Sequence, residues 1–149
     1  MQLDCPSLQW LDLKNNQIKS IKGIERLEIL DDLNLNSNSI ESVLLLRNLS
    51  KLQSLQLNSN QIQSAQGIEL LTNLTLRDLS CNKIKSVEPL KYLYIITVLR
   101  LNNNQISNIH DLGTLTNLKE LNLEYNTVLT FVPIQHHKYY DQYNLNNQE

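Results

Sequence analysis

Leu8-Gln9-Trp10-Leu11-Asp12-Leu13-Lys14-Asn15-Asn16-Gln17-Ile18 places leucines at alternate positions and then closes on an asparagine followed by isoleucine two residues later. That asparagine recurs as Asn38, Asn60, Asn82, Asn104 and Asn126, always 22 residues after the last. Eight residues before each copy stands Leu8, Leu30, Leu52, Leu74, Ile96 or Leu118. Five before stands Leu11, Leu33, Leu55, Arg77, Leu99 or Leu121, and three before stands Leu13, Leu35, Leu57, Leu79, Leu101 or Leu123. The apolar pattern then continues two, five, eight and eleven residues after the asparagine, as in Ile18, Ile21, Ile24 and Leu27. Of 48 such positions in six turns only Arg77 and His137 are polar where the pattern asks for an apolar residue, so the period governs every local assignment.

Each half of the repeat has its own periodicity. The first half alternates with period two, which turns its leucines inward and the residues between them outward, as in a half-buried strand. The second half has period three, which suits a short 3₁₀ turn or irregular coil better than an α-helix of period 3.6. Gly23, Gly67 and Pro89 share one column of this second half and argue against a regular helix there. The asparagine stands where the chain leaves the strand, and its amide both donates and accepts. Stacked copies predict a structural ladder through all six turns. Leu8 to Ile134 therefore reads as one continuous coil, an α/β repeat solenoid with a concave parallel β-sheet and short 3₁₀ or irregular convex segments. Residues 1–7 match the end of an incomplete turn, with Cys5 in the place of Leu27 or Leu49, and residues 135–149 form a polar tail.

The run Leu8 to Ile18 and its five copies resemble the 22-residue leucine-rich-repeat class typified by the regulatory subunit of type-one protein phosphatase. The resemblance covers Cys5 to Ile134 and implies a right-handed superhelix that binds protein through its concave face. Similar repeats occur in a spliceosomal scaffold, axonemal dynein light chains and tubulin-folding cofactors, so cytoskeletal, axonemal and spliceosomal adaptors stand beside a phosphatase regulator.

The outward strand residues are the candidate contact surface: Trp10, Asp12, Asp32, Asn34, Gln56, Leu76, Asp78, Val98, Arg100, Glu120, Asn122, Glu124 and Tyr125. Most of this face is amide and hydroxyl, with Trp10 and Tyr125 its aromatics, at opposite ends. Leu76 and Val98 lie on adjacent strands and form an apolar pair rimmed by Asp78 and Arg100, the layout of a small interface core. Arg77 occupies a core position, where an unpaired guanidinium is costly. A local shift that turns Leu76 inward and Arg77 outward is therefore expected. Leu44 and Leu45 are apolar on the otherwise polar convex side, as a second contact or a local repacking.

Composition narrows the partner. A net charge of −2 gives no electrostatic reason for nucleic acid or an anionic membrane, and 41% hydrophobic residues in 149 suffice for a core along most of the chain. Two isolated cysteines, Cys5 and Cys81, follow the usage of a reducing compartment, so a cytoplasmic or nuclear location is expected. The N-terminus lacks the basic flank and apolar run of a signal peptide. His136 and His137 are adjacent and point to different sides in an extended chain, so neither zinc nor any other cofactor is expected. With no triad and three glycines, the reading is a non-catalytic scaffold for a partner protein. A purely structural or truncated repeat array without a dedicated site is the alternative. In either case the open sheet edge at Leu8 invites self-association or a covering chain.

Overall fold

The computed structural model describes residues 5–75 and 78–128. Five three-residue strands, β1 (Trp10–Asp12), β2 (Asp32–Asn34), β3 (Ser54–Gln56), β4 (Val98–Arg100) and β5 (Glu120–Asn122), carry the alternating half of successive turns. β1, β2 and β3 pair in parallel in one sheet and β4 with β5 in a second: Leu11 lies against Leu33, Leu33 against Leu55, and Leu99 against Leu121. In the fourth turn Asp78 bridges to Gln56 on one side and Arg100 on the other, so the 22-residue register runs unbroken from Asp12 to Asn122. Leu76 and Arg77, with the shift expected of them, lie outside the described residues. So do Phe131, Ile134, His136, His137 and the rest of the tail.

The period-three half forms 3₁₀ turns, as its spacing predicted, at Ile24–Arg26, Leu44–Asn48, Glu88–Tyr92 and His110–Thr114. Pro89 does not interrupt its turn. It sits in the first residues of the 3₁₀ segment, where a missing N–H costs nothing. Gly23 and Gly67 behave differently and adopt φ of 101° and 100°. Their amides donate to Glu25 Oε2 at 2.7 Å and Glu69 Oε2 at 2.6 Å, so two Gly-Ile-Glu triplets build the same small turn. Bonds from the backbone N–H groups of Glu25 itself and of Gly23 hold the Glu25 carboxyl below its ordinary pKa.

The core is a single cluster of the apolar repeat positions. Every described apolar repeat residue from Leu30 to Leu115 is between 0% and 3% exposed. In the first turn Leu8, Leu11, Leu13 and Ile18 are only partly buried, because no described turn covers them from below. Leu8 N–H donates to Cys5 O at 3.0 Å, the bond that Leu30 makes to Leu27 and Leu52 to Leu49 at 2.9 Å, so Cys5 repeats the geometry of those leucines.

The asparagines form the expected ladder. Asn60 Nδ2 donates to Leu57 O at 3.2 Å in its own turn and to Leu35 O at 2.9 Å in the turn before. Its Oδ1 accepts the N–H of Ile40, also in the turn before, at 3.0 Å. Asn38, Asn82, Asn104 and Asn126 repeat the set. Each amide thus closes its own strand exit and locks it to its predecessor. Asn16 is exposed and, among the described residues, donates only to Leu13 O and Lys14 O of its own turn.

Two expectations follow. Asn60→Ala leaves the buried Ile40 N–H without an acceptor, worth roughly 1–3 kcal/mol, and takes one of two amide donors from Leu35 O and Leu57 O, which keep Asn38 and Asn82, so it is expected to cost about 2 kcal/mol or more in urea denaturation. Asn16→Ala is expected to cost less than about 1 kcal/mol; equal losses for the two would contradict the ladder. A Cβ at Gly67 would meet Leu44 Cα at 2.8 Å and the carbonyls of Val43 and Leu44 at 2.9 Å, whereas one at Gly23 would meet nothing within 4 Å. Both positions carry the positive-φ cost, so Gly67→Ala is expected to destabilise by roughly 1–3 kcal/mol more than Gly23→Ala.

Candidate functional site

Parallel pairing in constant register stacks the outward residues into columns that cross the concave face. The first runs Trp10, Asp32 and Ser54, then continues through Val98 and Glu120. The second runs Asp12, Asn34, Gln56, Asp78, Arg100 and Asn122. Neighbours within a column are one interstrand spacing apart, roughly 4.8 Å. Trp10 is 61% exposed, Arg100 and Glu120 are exposed, and the others named here are partly buried by one another. Of the apolar pair expected on this face, Val98 is half-buried and Leu76 lies outside the described residues.

Several candidate contact residues already have intramolecular work. Asp12 Oδ1 accepts the N–H of Lys14, Asn34 Oδ1 that of Asn36, Asp78 Oδ1 that of Ser80, and Asn122 Oδ1 that of Glu124, at 2.9–3.1 Å. An Asp or Asn at the strand end therefore caps the amide two residues on. Asn36 extends this across turns: its Nδ2 donates to Gln56 Oε1 at 3.3 Å and its Oδ1 accepts the Asn58 N–H at 2.9 Å. Much of the amide-rich surface is thus mutually satisfied. Asp32, Arg100 and Glu120 make no such bond among the described residues. Two oxygens of the face, Asp32 Oδ1 and Asn58 Oδ1, are shielded from water yet have no hydrogen-bond partner there.

The residue before each ladder asparagine holds a different constraint. Asn15, Ser37, Ser59, Cys81, Asn103 and Tyr125 all have φ between 54° and 57°. This left-handed geometry suits asparagine and strains serine, cysteine and tyrosine. Tyr125, a candidate contact, is 63% exposed from that position.

Charge on the face is lopsided. Asp12, Asp32, Asp78, Glu120 and Glu124 stand against Lys14 and Arg100, and Lys14 is 3.6 Å from Asp12. The other nine described Lys and Arg residues lie on the remaining surfaces.

One further column is not among the residues the sequence singled out. Ser20, Ser42, Ser64 and Ser86 accept the N–H two residues on through Oγ, at 3.2–3.4 Å, and Asn108 does so through Oδ1 at 2.9 Å. This short polar residue four after each ladder asparagine was visible as a period but overshadowed by the apolar one. Leu44 and Leu45 stay on the surface, at 43% and 36% exposure. They are joined by Leu70, Tyr92, Tyr94 and Ile95, which no template position flags. Among the described residues no group of three or more His, Cys, Asp and Glu is placed to hold a metal, and no helix is long and apolar enough to cross a membrane. His110 is exposed at the start of its 3₁₀ turn.

Comparison with known proteins adds to this geometry. A family model described as leucine rich repeats (2 copies) matches residues 96–136, and one described as leucine rich repeat matches residues 7–28. No curated protein matches the chain. Among solved structures it is similar to an internalin (inlF) from Listeria monocytogenes, with 31% identity, a TM-score of 0.81 and 91% of this chain covered. It is also similar to an internalin C2 from the same organism, with 36% identity, a TM-score of 0.75 and 80% of this chain covered. The chain spans 40% and 53% of the length of those two proteins.

If the left-handed position is a strain site, Cys81→Asn is expected to raise stability by about 1 kcal/mol, a rise in thermal midpoint of roughly 2–4 °C. An unchanged or lowered midpoint would show that the surroundings already relieve the strain.

Proposed function

We propose, on the premise that this chain is a leucine-rich-repeat protein, that it is a non-catalytic scaffold whose concave face binds a partner protein. One observation carries the reading. Among the described residues the inward positions are spent on the core and the ladder asparagines on the backbone, while the outward column from Asp12 to Asn122 makes one continuous surface that the core does not use. A sheet face of this width presents many weak polar contacts and a few charged ones, which suits a folded or extended protein better than a small molecule.

Within that proposal the phosphatase-regulator reading draws on the likeness of the repeat, as do the cytoskeletal and spliceosomal alternatives. A cytoplasmic or nuclear location is part of the same reading, supported by two exposed free thiols at Cys5 and Cys81. Self-association on the side of the first turn, whose described leucines Leu8, Leu11 and Leu13 are only partly buried, belongs to the same proposal. A structural array without a dedicated site is the competing view.

Affinity capture with three forms of the full chain separates them. Asp32, Arg100 and Glu120 cap nothing, so the triple variant Asp32→Lys, Arg100→Glu, Glu120→Lys changes the face and spares the fold. The expected outcome is that this variant loses a captured partner by about tenfold or more, while the convex variant Lys22→Glu, Lys85→Glu retains it. Equal retention by all three forms would remove the concave face from the proposal. Retention by none of a partner above background would favour the array without a site.

A further inference from the structure

The concave face holds a local arrangement that neither the repeat nor its caps explain. Trp10 is the one tryptophan of the chain and is 61% exposed at the start of β1. In register beside it, on β2, stands Asp32. An exposed indole has no packing reason to occupy a column whose other described residues are short or polar. The carboxylate beside it is half-buried, with one oxygen withdrawn from water and paired with no donor. A carboxylate with one oxygen unpaired inside the protein is under-compensated, and a cation brought to its other oxygen relieves it. An indole face attracts the same cation through its ring quadrupole.

The wider face has the same sign. Among the described residues its five carboxylates outnumber its two cations, one of which already lies against Asp12. A concave surface of one sign concentrates the field above it. From the first turn to the sixth the face measures about 24 Å, the span of roughly seven residues of extended chain.

We infer that Trp10 and Asp32 form a seat for an arginine or lysine side chain of the partner, carried on an extended basic segment that crosses the strands toward Glu120. The inference rests on the concave-face proposal and gives its partner a chemistry. The cation stacks on the Trp10 ring and pairs with Asp32, while further basic residues of the segment meet Asp78 and Glu120. Arg100 interrupts this row and sets which position of the segment must not be basic.

The sole tryptophan reports on its own site, which makes the test direct. Full-length protein is titrated with an oligoarginine peptide and, separately, an oligoglutamate peptide, following Trp10 fluorescence and the anisotropy of labelled peptide. The expected result is a saturable change with oligoarginine alone, weakened several-fold between about 0.05 M and about 0.5 M salt. Asp32→Asn, which keeps the shape and loses no internal hydrogen bond, is expected to weaken binding about tenfold or more. Trp10→Leu, followed by anisotropy, is expected to weaken it about threefold or more. Glu25→Gln and Glu88→Gln on the convex side are expected to leave it unchanged. No saturable change, an equal response to oligoglutamate, or wild-type affinity in Asp32→Asn overturns the inference. If those negatives occur while the triple concave variant still loses its captured partner, the concave-face proposal stands and only the cationic seat falls. If both experiments are negative, the face itself is not the binding site.

Discussion

The amide of the ladder asparagine is the interaction on which the rest of this structure depends. A turn of 22 residues with a three-residue strand cannot bury its leucines alone or satisfy its own backbone where the chain leaves the strand. Asn38, Asn60, Asn82, Asn104 and Asn126 solve both problems with one group, because the same side chain donates to its own turn and exchanges bonds with the turn before. The ladder fixes rise and register together. A slip of one residue would both strand the carbonyls and turn every leucine outward.

That fixed register is what makes a functional surface out of residues that are 22 apart in sequence. Trp10 meets Asp32, and Asp78 meets Arg100, because the backbone of each turn is held at the same height relative to its neighbour. The same stacking explains why the surface is quieter than a list of polar residues suggests. Asp12, Asn34, Asp78 and Asn122 spend one oxygen each on an amide two residues away, and Asn36 ties Gln56 and the Asn58 amide. What remains available for a partner is concentrated in Trp10, Asp32, Arg100 and Glu120.

The convex side shows how one repeat tolerates different local chemistry. Gly23 and Gly67 take a positive φ and fold a tight Gly-Ile-Glu turn, whereas Pro89 and Asp111 lie within longer 3₁₀ segments. Both routes return the chain to the core through the same apolar positions, so the column can vary while Ile24, Leu46, Ile68, Leu90 and Leu112 stay buried. Gly67 alone is held by a neighbour, the backbone of Val43 and Leu44 stacked against it.

Periodicity in the sequence was enough to establish the solenoid, the parallel strands, the 3₁₀ convex side and the identity of the core. Those features follow from residues that face one way at fixed spacing, and spacing is visible in a string of letters. The same string showed which residues point outward. It did not show which outward residues are spent on the backbone, that Ser20 and its successors cap the convex turns, or that the column from Asn15 to Tyr125 is left-handed. Nor did it show that an oxygen of Asp32 is left without a donor beside an exposed indole. Hydrogen-bond partners and backbone angles depend on distances of a few tenths of an ångström between chain segments far apart in sequence, and only the stacked structure sets those distances.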